Sequence, residues 1–480
     1  MRGFLASSVG VVCTAALALP SALGTAHARA DRTGPVGSTQ SLPLLPPAGL
    51  DRGLAAPGGD RALAARDVAP FSLVGVVWND ASADLRGDIQ VRTRAARTGV
   101  WSAWRDLRVY HDDGPDPAPA AAPGGAHGGA AESGATDGGA ADGGATDGGG
   151  GGPRGGTAPL WVGDSDGVQA RVRAAAPPAG AVPATLPAGL RLELVDPGAV
   201  PAPAPPPAHP TPVQPVHPHP TAVPHSHPTA VPHPDPHPHP TGDVASPTAR
   251  PTPRPTAPTP RPSGTTQLPT DQSESSAARH TAPRPRIVTR AGWGADEKIR
   301  ESGHVYSKTV KVAFIHHTVT GNSYTCAQVP SVLRSIYRYH VQSMGWRDYG
   351  YNFTIDKCGN IYEGRSGGVT KAVLGAHTLG FNQNSMGVAV LGTYSAKKPS
   401  AKAVKAIAKL TAWKLGIFNR NPRGTTHLVS GGGNKYKKGA NVKLRVISGH
   451  RDGFATECPG KRLYSKLGSV RSTAARLQGR

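Results

Sequence analysis

The stretch GHRDGFATECPG, residues 449–460, places His450 and Cys458 eight positions apart in a loop rich in glycine and proline. The chain also has an export signal, and exported proteins normally oxidise their thiols or lack them. A free cysteine near a histidine therefore indicates either a metal ligand or a nucleophile. One further histidine from a distant strand would complete a three-ligand zinc site with an open fourth position, the arrangement used for hydrolysis.

The N-terminus has the composition of a secretory signal. Arg2 precedes an apolar run from Val9 to Leu19, and small-residue cleavage sites follow at 26–30. Such a run is too short for a stable membrane span. We expect residues 1–30 to be a cleaved signal peptide, and the mature protein to be secreted, associated with the cell wall and not inserted in a membrane.

Cysteine usage agrees with a special role for one thiol. Of the four cysteines, Cys13 would leave with the signal, so Cys326, Cys358 and Cys458 remain. An odd number in an exported protein suggests one pair and one thiol with another function.

Charge is distributed unevenly along the chain. The net charge is +22, but residues 284–480 carry 33 Lys and Arg against 8 Asp and Glu, or +25, which leaves −3 for the rest. Outside a cell this positive field favours anionic wall polymers over nucleic acid as partners, although a basic surface can also serve solubility alone.

The N-terminal half predicts a small β domain between two segments of low complexity. Residues 31–69 are expected to be poorly ordered, and alternating apolar residues predict one antiparallel β domain over 70–195. A Gly/Ala/Asp tract, 113–157, is expected to be a disordered insertion in it. No metal or nucleophile cluster is evident in this domain, so its function is not readable. Residues 196–283 predict a Pro/His-rich polyproline-II linker, whose histidines either bind metal loosely or simply form a hydrophilic spacer.

The C-terminal part, 284–480, alternates strands and helices, which predicts an α/β fold with a mixed sheet flanked by helices. The predicted strands and the predicted hairpin cover 311–317, 351–363, 387–391 and 444–447, and the predicted helices cover 329–344, 400–415 and 463–477.

Five short motifs in this part occur together. They are IHHT (315–318), GYNF (350–353), YEGR (362–365), GAHT (375–378) and GHRD with TECPG (449–460). In this order they resemble the family of peptidoglycan recognition proteins and zinc amidases, specifically its exported multidomain members from high-GC Gram-positive bacteria. The resemblance implies an α/β domain that hydrolyses the amide between N-acetylmuramic acid and L-alanine in peptidoglycan.

The resemblance implies one Zn²⁺ per domain, bound by His316, His450 and Cys458. From the residues alone either His316 or His317 can face the groove, and the family pattern favours His316. Two neutral imidazoles and a thiolate leave zinc with one net positive charge and a position for water, whose pKa falls toward about 7.

The resemblance also assigns residues around the metal. Tyr351 would line the cleft and stabilise the developing oxyanion, and Thr456 occupies a position where the family has threonine or lysine. The expected substrate-binding residues are His340, Tyr351, Glu363, Arg365, His377 and Asn382.

Several of these assignments have alternatives. His340 can instead be a packing residue, and Glu363 and Arg365 can pair with each other. Arg365 is followed by Ser-Gly-Gly where many members have Gly-Trp, so the stem-peptide preference, diaminopimelate or lysine, stays open. Cys326 and Cys358 are expected to form a disulfide, since both thiols would otherwise be prone to oxidation.

Three functions compete at the end of the sequence analysis. The first is a monomeric zinc amidase, and the second is a non-catalytic peptidoglycan receptor on the same fold. Such receptors typically replace the cysteine ligand, often by serine, whereas Cys458 is present here. The third makes Cys458 a nucleophile with His450 as its base, which leaves His316 and Tyr351 without a role.

Overall fold

The computed structural model describes residues 37–47, 59–109, 113–116, 152–176, 185–199 and 280–480. All of these belong to one unit of the chain, which comprises 1–203 and 279–480. The predicted signal peptide, 1–30, lies outside the described residues. So does the predicted linker, 196–283, apart from its first and last four residues.

The described N-terminal residues form one antiparallel sheet. Its strands are β1 (Thr39–Pro43), β2 (Arg61–Trp78), β3 (Gly87–Ala95), β4 (Arg105–Leu107), β5 (Gly155–Gly156), β6 (Leu160–Ala174) and β7 (Arg191–Val195). The strand order is β1-β7-β2-β6-β3-β4, and β5 pairs with the end of β2. Along β3, buried Ile89, Val91 and Thr93 alternate with more exposed residues, as one-sided burial requires. The expected all-β character of this region is confirmed.

This sheet begins earlier than the sequence suggested. The expectation of poor order for 31–69 is wrong for β1 and for the first half of β2, which pair with β7 and β6. Parts of the expected insertion, 113–157, are also ordered, because 113–116 and 152–157 make defined contacts. Backbone pairing holds β1, the first half of β2 and β5, whereas side-chain hydrogen bonds hold 113–116. The Ala- and Gly-rich composition of these segments gives no sign of either.

The C-terminal residues form the predicted mixed sheet. Its strands are β8 (Ile287–Val288), β9 (Val312–His317), β10 (Phe353–Ile355), β11 (Ile361–Glu363), β12 (Ser385–Val390) and β15 (Ile447–Gly449). The order is β15-β9-β12-β10-β11-β8, with only the β10–β11 pair antiparallel among these neighbours. A separate hairpin consists of β13 (Thr425–Val429) and β14 (Asn441–Arg445).

Helices cover both faces of this sheet, which confirms the predicted fold class. They are α1 (Arg290–Trp293), α2 (Val329–Arg338), α3 (Ala401–Ile417), α4 (His450–Gly453), α5 (Lys461–Tyr464) and α6 (Leu467–Leu477), with a π-helical turn at Tyr339–Ser343. The predicted N-cap of α3 is present, since Ser400 Oγ accepts from the Ala403 amide at 3.0 Å. Helices α3 and α6 pack on one face of the sheet around Ile315, Val388 and Ile407.

The N-terminal sheet packs on α2 and the π turn through what we call the docking interface. Here Leu73, Val77, Trp161 and Val195 join one buried apolar cluster with side chains of the C-terminal part. Those partners include Val332, Ile336, Tyr339 and Met344.

Tyr339 is central to the docking interface. Its hydroxyl donates to the carbonyl oxygen of Thr157 at 3.0 Å. Gly75 lets the β2 backbone approach the ring, since a Cβ there would lie 2.5 Å from the ring carbon Cε2. Arg334 Nε extends the contact by donating to the Pro197 carbonyl at 2.9 Å.

Within the described residues, no helix has both the length and the apolar character needed to cross a bilayer.

Candidate metal centre

Three donors converge at one end of the C-terminal sheet. The ligand atoms of His316, His450 and Cys458 all lie within 4.8 Å of one another, and all three residues are buried. His316 is near the end of β9, and His450 directly follows β15. These strands are parallel neighbours, with Gly449 opposite Ile315, so their carboxyl ends bring the two imidazoles together.

The loop after α4 brings Cys458 back to this point. The Arg451 amide donates to the Cys458 carbonyl oxygen at 3.0 Å. The Cys458 amide donates to Thr456 Oγ1 at 3.1 Å, so Thr456 holds the backbone of the cysteine.

The structure distinguishes the two adjacent histidines. Successive side chains of a strand point to opposite faces. His316 faces the donor cluster, whereas Nδ1 of His317 accepts from the Tyr394 amide at 3.1 Å.

The donors have the chemistry that zinc requires, and one donor pair lies close to the spacing of zinc ligands. With Zn–N bonds of about 2.0 Å and Zn–S bonds of about 2.3 Å, a nitrogen and a sulfur ligand of tetrahedral zinc lie about 3.6 Å apart. Cys458 Sγ lies 3.8 Å from His316 Nδ1. The other ring nitrogen of His316 lies 3.4 Å from Thr378 Oγ1, which fixes the ring orientation. Burial lowers the pKa of His316 well below its usual value, so its imidazole is neutral at neutral pH.

Tyr351 lies beside the donors, its ring centroid 5.3 Å from that of His316. It is 4% exposed, and burial followed by the nearby Asp113 carboxylate raises its pKa well above the usual value. The hydroxyl is therefore protonated at neutral pH and acts as a hydrogen-bond donor.

Two other predicted groove residues, His377 and Asn382, also lie near the cluster. The ring centroid of His377 is 5.3 Å from that of His316. Asn382 Oδ1 accepts from the amides of His377 and Thr378 at 2.8 and 3.0 Å, which shapes the loop next to the cluster.

His340 is buried in packing and also lines a cavity with Tyr351. Its ring stacks on Trp346 at 4.5 Å, and its Nδ1 accepts from the Gly350 amide. Burial lowers its pKa to about 3. These contacts give His340 a packing role whether or not it also touches a substrate.

Glu363 and Arg365 line a second cavity, together with Lys414. Glu363 accepts from the Arg290 amide, and Arg365 donates to the Leu374 carbonyl at 3.0 Å. Glu363 and Arg365 therefore line a different cavity from the one lined by His340 and Tyr351.

The disulfide expected between Cys326 and Cys358 is present, and the remaining described cysteine, Cys458, is buried and forms no disulfide.

An aspartate that no sequence pattern singles out also lies in this centre. Asp113 Oδ1 lies 3.2 Å from His316 Nδ1 and 3.3 Å from His450 Nδ1, and its Oδ2 accepts from the Tyr351 hydroxyl at 2.5 Å. Asp116, from the same segment, accepts from the Gly380 amide. Both lie at the start of the Gly/Ala/Asp tract, 113–157, where aspartate recurs and no local pattern distinguishes one aspartate from another.

Comparison with known proteins places both parts of the chain. A family profile described as N-acetylmuramoyl-L-alanine amidase (Amidase_2) matches residues 306–461. A second, described as Rv3811 N-terminal galactose-binding domain-like, matches residues 28–132.

Relatives of the C-terminal part are peptidoglycan recognition proteins. Peptidoglycan-recognition protein SC2 of Drosophila simulans is 32% identical over 181 residues, which cover 38% of this chain and 84% of that protein. The peptidoglycan recognition protein of Trichoplusia ni is 30% identical over 183 residues, covering 38% and 85%. Among solved structures, wild-type Drosophila PGRP-LB is 26% identical, with a TM-score of 0.31, over 38% of this chain and 93% of that one.

The chain therefore belongs to the family of peptidoglycan recognition proteins and N-acetylmuramoyl-L-alanine amidases. Its N-terminal match fits the actinobacterial multidomain type.

Proposed function

We propose that this protein is a zinc-dependent N-acetylmuramoyl-L-alanine amidase that cleaves the bond between muramic acid and L-alanine in peptidoglycan. The observation that carries the proposal is the convergence of two imidazoles and a thiol, from His316, His450 and Cys458, within 4.8 Å. The family match and relatives named for peptidoglycan recognition support the substrate class.

The donor set suits a hydrolytic zinc ion, held by these three side chains. Bound zinc would polarise the scissile carbonyl and lower the pKa of a water molecule. Thr456 keeps Cys458 in place through the Cys458 amide, and Thr378 orients His316. Residues that orient metal ligands in this way support metal affinity. Their mutation typically lowers metal affinity or activity by about 10–100-fold.

Tyr351 is the proposed oxyanion donor. Its hydroxyl stays protonated because burial raises its pKa, so it can donate to the carbonyl oxygen as negative charge develops. Removing one such donor typically costs about 100–1,000-fold in rate. His377 and Asn382 are the proposed substrate contacts beside it.

The positive charge of residues 284–480 favours binding to anionic polymers. A net +25 attracts wall polymers that carry negative charge, which would concentrate the protein on its substrate. We place the protein outside the cell on this basis and on the secretory signal expected from the sequence.

The test is product analysis with the full chain. Purified peptidoglycan is digested with zinc-loaded protein, chelated protein and chelated protein resupplied with zinc. The digests are then assayed for new L-alanine amino termini and for new reducing sugars. Tyr351→Phe is compared with Tyr436→Phe, a control on the hairpin between β13 and β14.

The expected result is new L-alanine amino termini that depend on zinc and fall at least tenfold in Tyr351→Phe but not in the control. Binding of peptidoglycan without new termini in any sample would instead indicate a receptor. Activity that survives chelation but is lost on alkylation of Cys458 would indicate a cysteine nucleophile.

A further inference from the structure

Residues 113–116, which we call the cleft segment, come from the N-terminal part of the chain but lie against the candidate metal centre. The side chain of Asp113 is 2% exposed. Its carboxylate faces His316, His450 and Tyr351.

We propose that Asp113 is a fourth ligand of the metal, and that the cleft segment keeps the protein in a latent form until this segment is displaced. The inference rests on the proposed function, because it concerns the metal of the same site.

The distances are those of a ligand set. Two ligands of tetrahedral zinc with bonds of about 2.0 Å lie about 3.3 Å apart. Asp113 Oδ1 lies 3.2 Å from the Nδ1 atom of His316 and 3.3 Å from that of His450. One oxygen at these two distances can therefore occupy the fourth corner of a zinc tetrahedron.

The charges also balance. Zinc with a thiolate and two neutral imidazoles carries one positive charge, and the Asp113 carboxylate cancels it. A buried centre without net charge avoids the desolvation penalty of a buried ion. Structural zinc sites have four protein ligands, and catalytic sites keep one position open. With Asp113 as the fourth ligand, the site has the closed ligand set of a structural zinc site and no open position for water or substrate.

The rest of the cleft segment engages Asn382, one of the predicted substrate contacts, and its neighbour Gly380. Asn382 Nδ2 donates to the Gly114 carbonyl and to Asp116 Oδ1, both at 2.9 Å. The Gly380 amide also donates to Asp116 Oδ1, at 2.6 Å. Meanwhile the Tyr351 hydroxyl is engaged by Asp113, so the proposed oxyanion donor is already in use.

The buried state of the centre agrees with closure. His316 and His450 are 0% exposed and Cys458 is 1% exposed. A site that must admit a glycan with a peptide stem needs an accessible metal, which the structure with the cleft segment in place does not offer.

The experiment uses the full chain as wild type, Asp113→Ala, Asp113→Asn and a control, Asp88→Ala, on an exposed position of β3. Each protein is loaded with Co²⁺ for visible absorption, titrated with Zn²⁺ against a chromophoric chelator, and assayed for release of L-alanine amino termini from peptidoglycan. Asp113→Asn keeps the size of the side chain, so it remains informative if Asp113→Ala does not fold.

Loss of a ligand predicts a changed Co²⁺ spectrum and zinc binding weakened by about tenfold in both Asp113 variants. Hydrolysis should become at least tenfold faster, because the closed state no longer competes with substrate, while Asp88→Ala matches wild type.

Spectra and zinc affinity identical to wild type in both Asp113 variants would overturn the proposal, and so would an unchanged or slower rate in variants that do release L-alanine termini. If the spectrum and zinc affinity change but no variant releases these termini, the ligand assignment stands and the amidase proposal fails.

Discussion

The N-terminal sheet meets the C-terminal part in two regions of opposite character. The docking interface is apolar and broad, with Leu73, Val77 and Trp161 packed in one cluster with Tyr339. The cleft segment is short and polar, and its contacts are hydrogen bonds and donor atoms around one point.

This difference explains how the docking interface can persist while the contacts of the cleft segment are lost. Apolar burial is non-directional and adds over a large area, at roughly 25 cal/mol per Å². A single hydrogen bond contributes only about 1 kcal/mol net, so hydrogen bonds alone hold a short polar segment weakly, and a metal bound by Asp113 would add to its stability. The cleft segment can therefore leave while the two sheets stay together.

The largest expected effect comes from removing a metal ligand, which should affect the cleft segment but not the docking interface. Cys458→Ser should lower zinc affinity and reduce hydrolysis at least about 1,000-fold, or about 4 kcal/mol in the barrier. Hydrogen exchange should show faster exchange in peptides covering the cleft segment and unchanged protection in β2. Equal loss of protection in both regions would mean that they form one cooperative unit.

The second expected effect acts on the docking interface. Tyr339 is 1% exposed, so Tyr339→Ala should cost about 3–5 kcal/mol of unfolding free energy, as large aromatic truncations do. Denaturant unfolding measures it, and Tyr339→Phe, which keeps the ring and loses the bond to Thr157, should cost about 1 kcal/mol. A cost below 1 kcal/mol for the alanine variant would show that the interface is not packed as described.

A third change tests close approach in the same region. Gly75→Ala adds a Cβ that would lie 2.5 Å from the Tyr339 ring, so overpacking should cost up to about 3 kcal/mol. Gly152→Ala is the control, since no atom lies within 4 Å of the added Cβ. Similar melting temperatures for the two variants would contradict the tight packing at Gly75.

The fourth prediction concerns the cleft segment alone. Asn382→Asp keeps the side-chain oxygen that accepts from the His377 amide. It replaces the side-chain NH₂ group that donates to Asp116 by a carboxylate oxygen, which places two carboxylates side by side. This change should weaken the cleft segment by about 2 kcal/mol, read as faster exchange of its amides. Asn441→Asp, at an exposed position of β14, controls for the added charge, and equal exchange in both proteins would argue against the contact.

The smallest effect lies outside both regions, at Lys414 on α3. Burial lowers the pKa of Lys414 to about 7, although its Nζ also donates to two carbonyl oxygens. The unfolded chain then holds more protons between pH 7 and 10, so raising the pH stabilises the fold, by at most about 1.4 kcal/mol per unit.

Lys414→Met should remove this contribution without changing either contact region. Denaturant midpoints of the two proteins at pH 7, 8 and 9 measure the difference. Parallel curves would mean that Lys414 stays charged, held by its carbonyl acceptors.

Much of the C-terminal part is encoded locally. Ser400 predicts the start of α3, and two apolar runs predict the strands that end near His316 and His450, whereas the meeting of these histidines is implied by the family resemblance. The odd cysteine count predicts one disulfide and one further thiol, and the structure pairs Cys326 with Cys358. These features depend on periodicity, caps and spacing, which a single sequence contains.

The missed features depend on contacts between distant parts of the chain. Asp113 and Tyr351 are separated by 238 positions, and nothing near Asp113 marks it as different from its neighbours. The same holds for β5, two glycines whose strand character comes from pairing with β2. Such pairings become apparent only when the whole fold is known.

The cleft segment and the metal ligands belong to one polypeptide, which affects what can activate the protein. Competition between substrate and an attached segment is governed by an effective concentration, commonly about millimolar for short connections. A dilute soluble fragment cannot exceed that value, whereas a cross-linked polymer presents many copies of the same bond side by side. Latency of this kind would restrict turnover to places where the wall itself is dense.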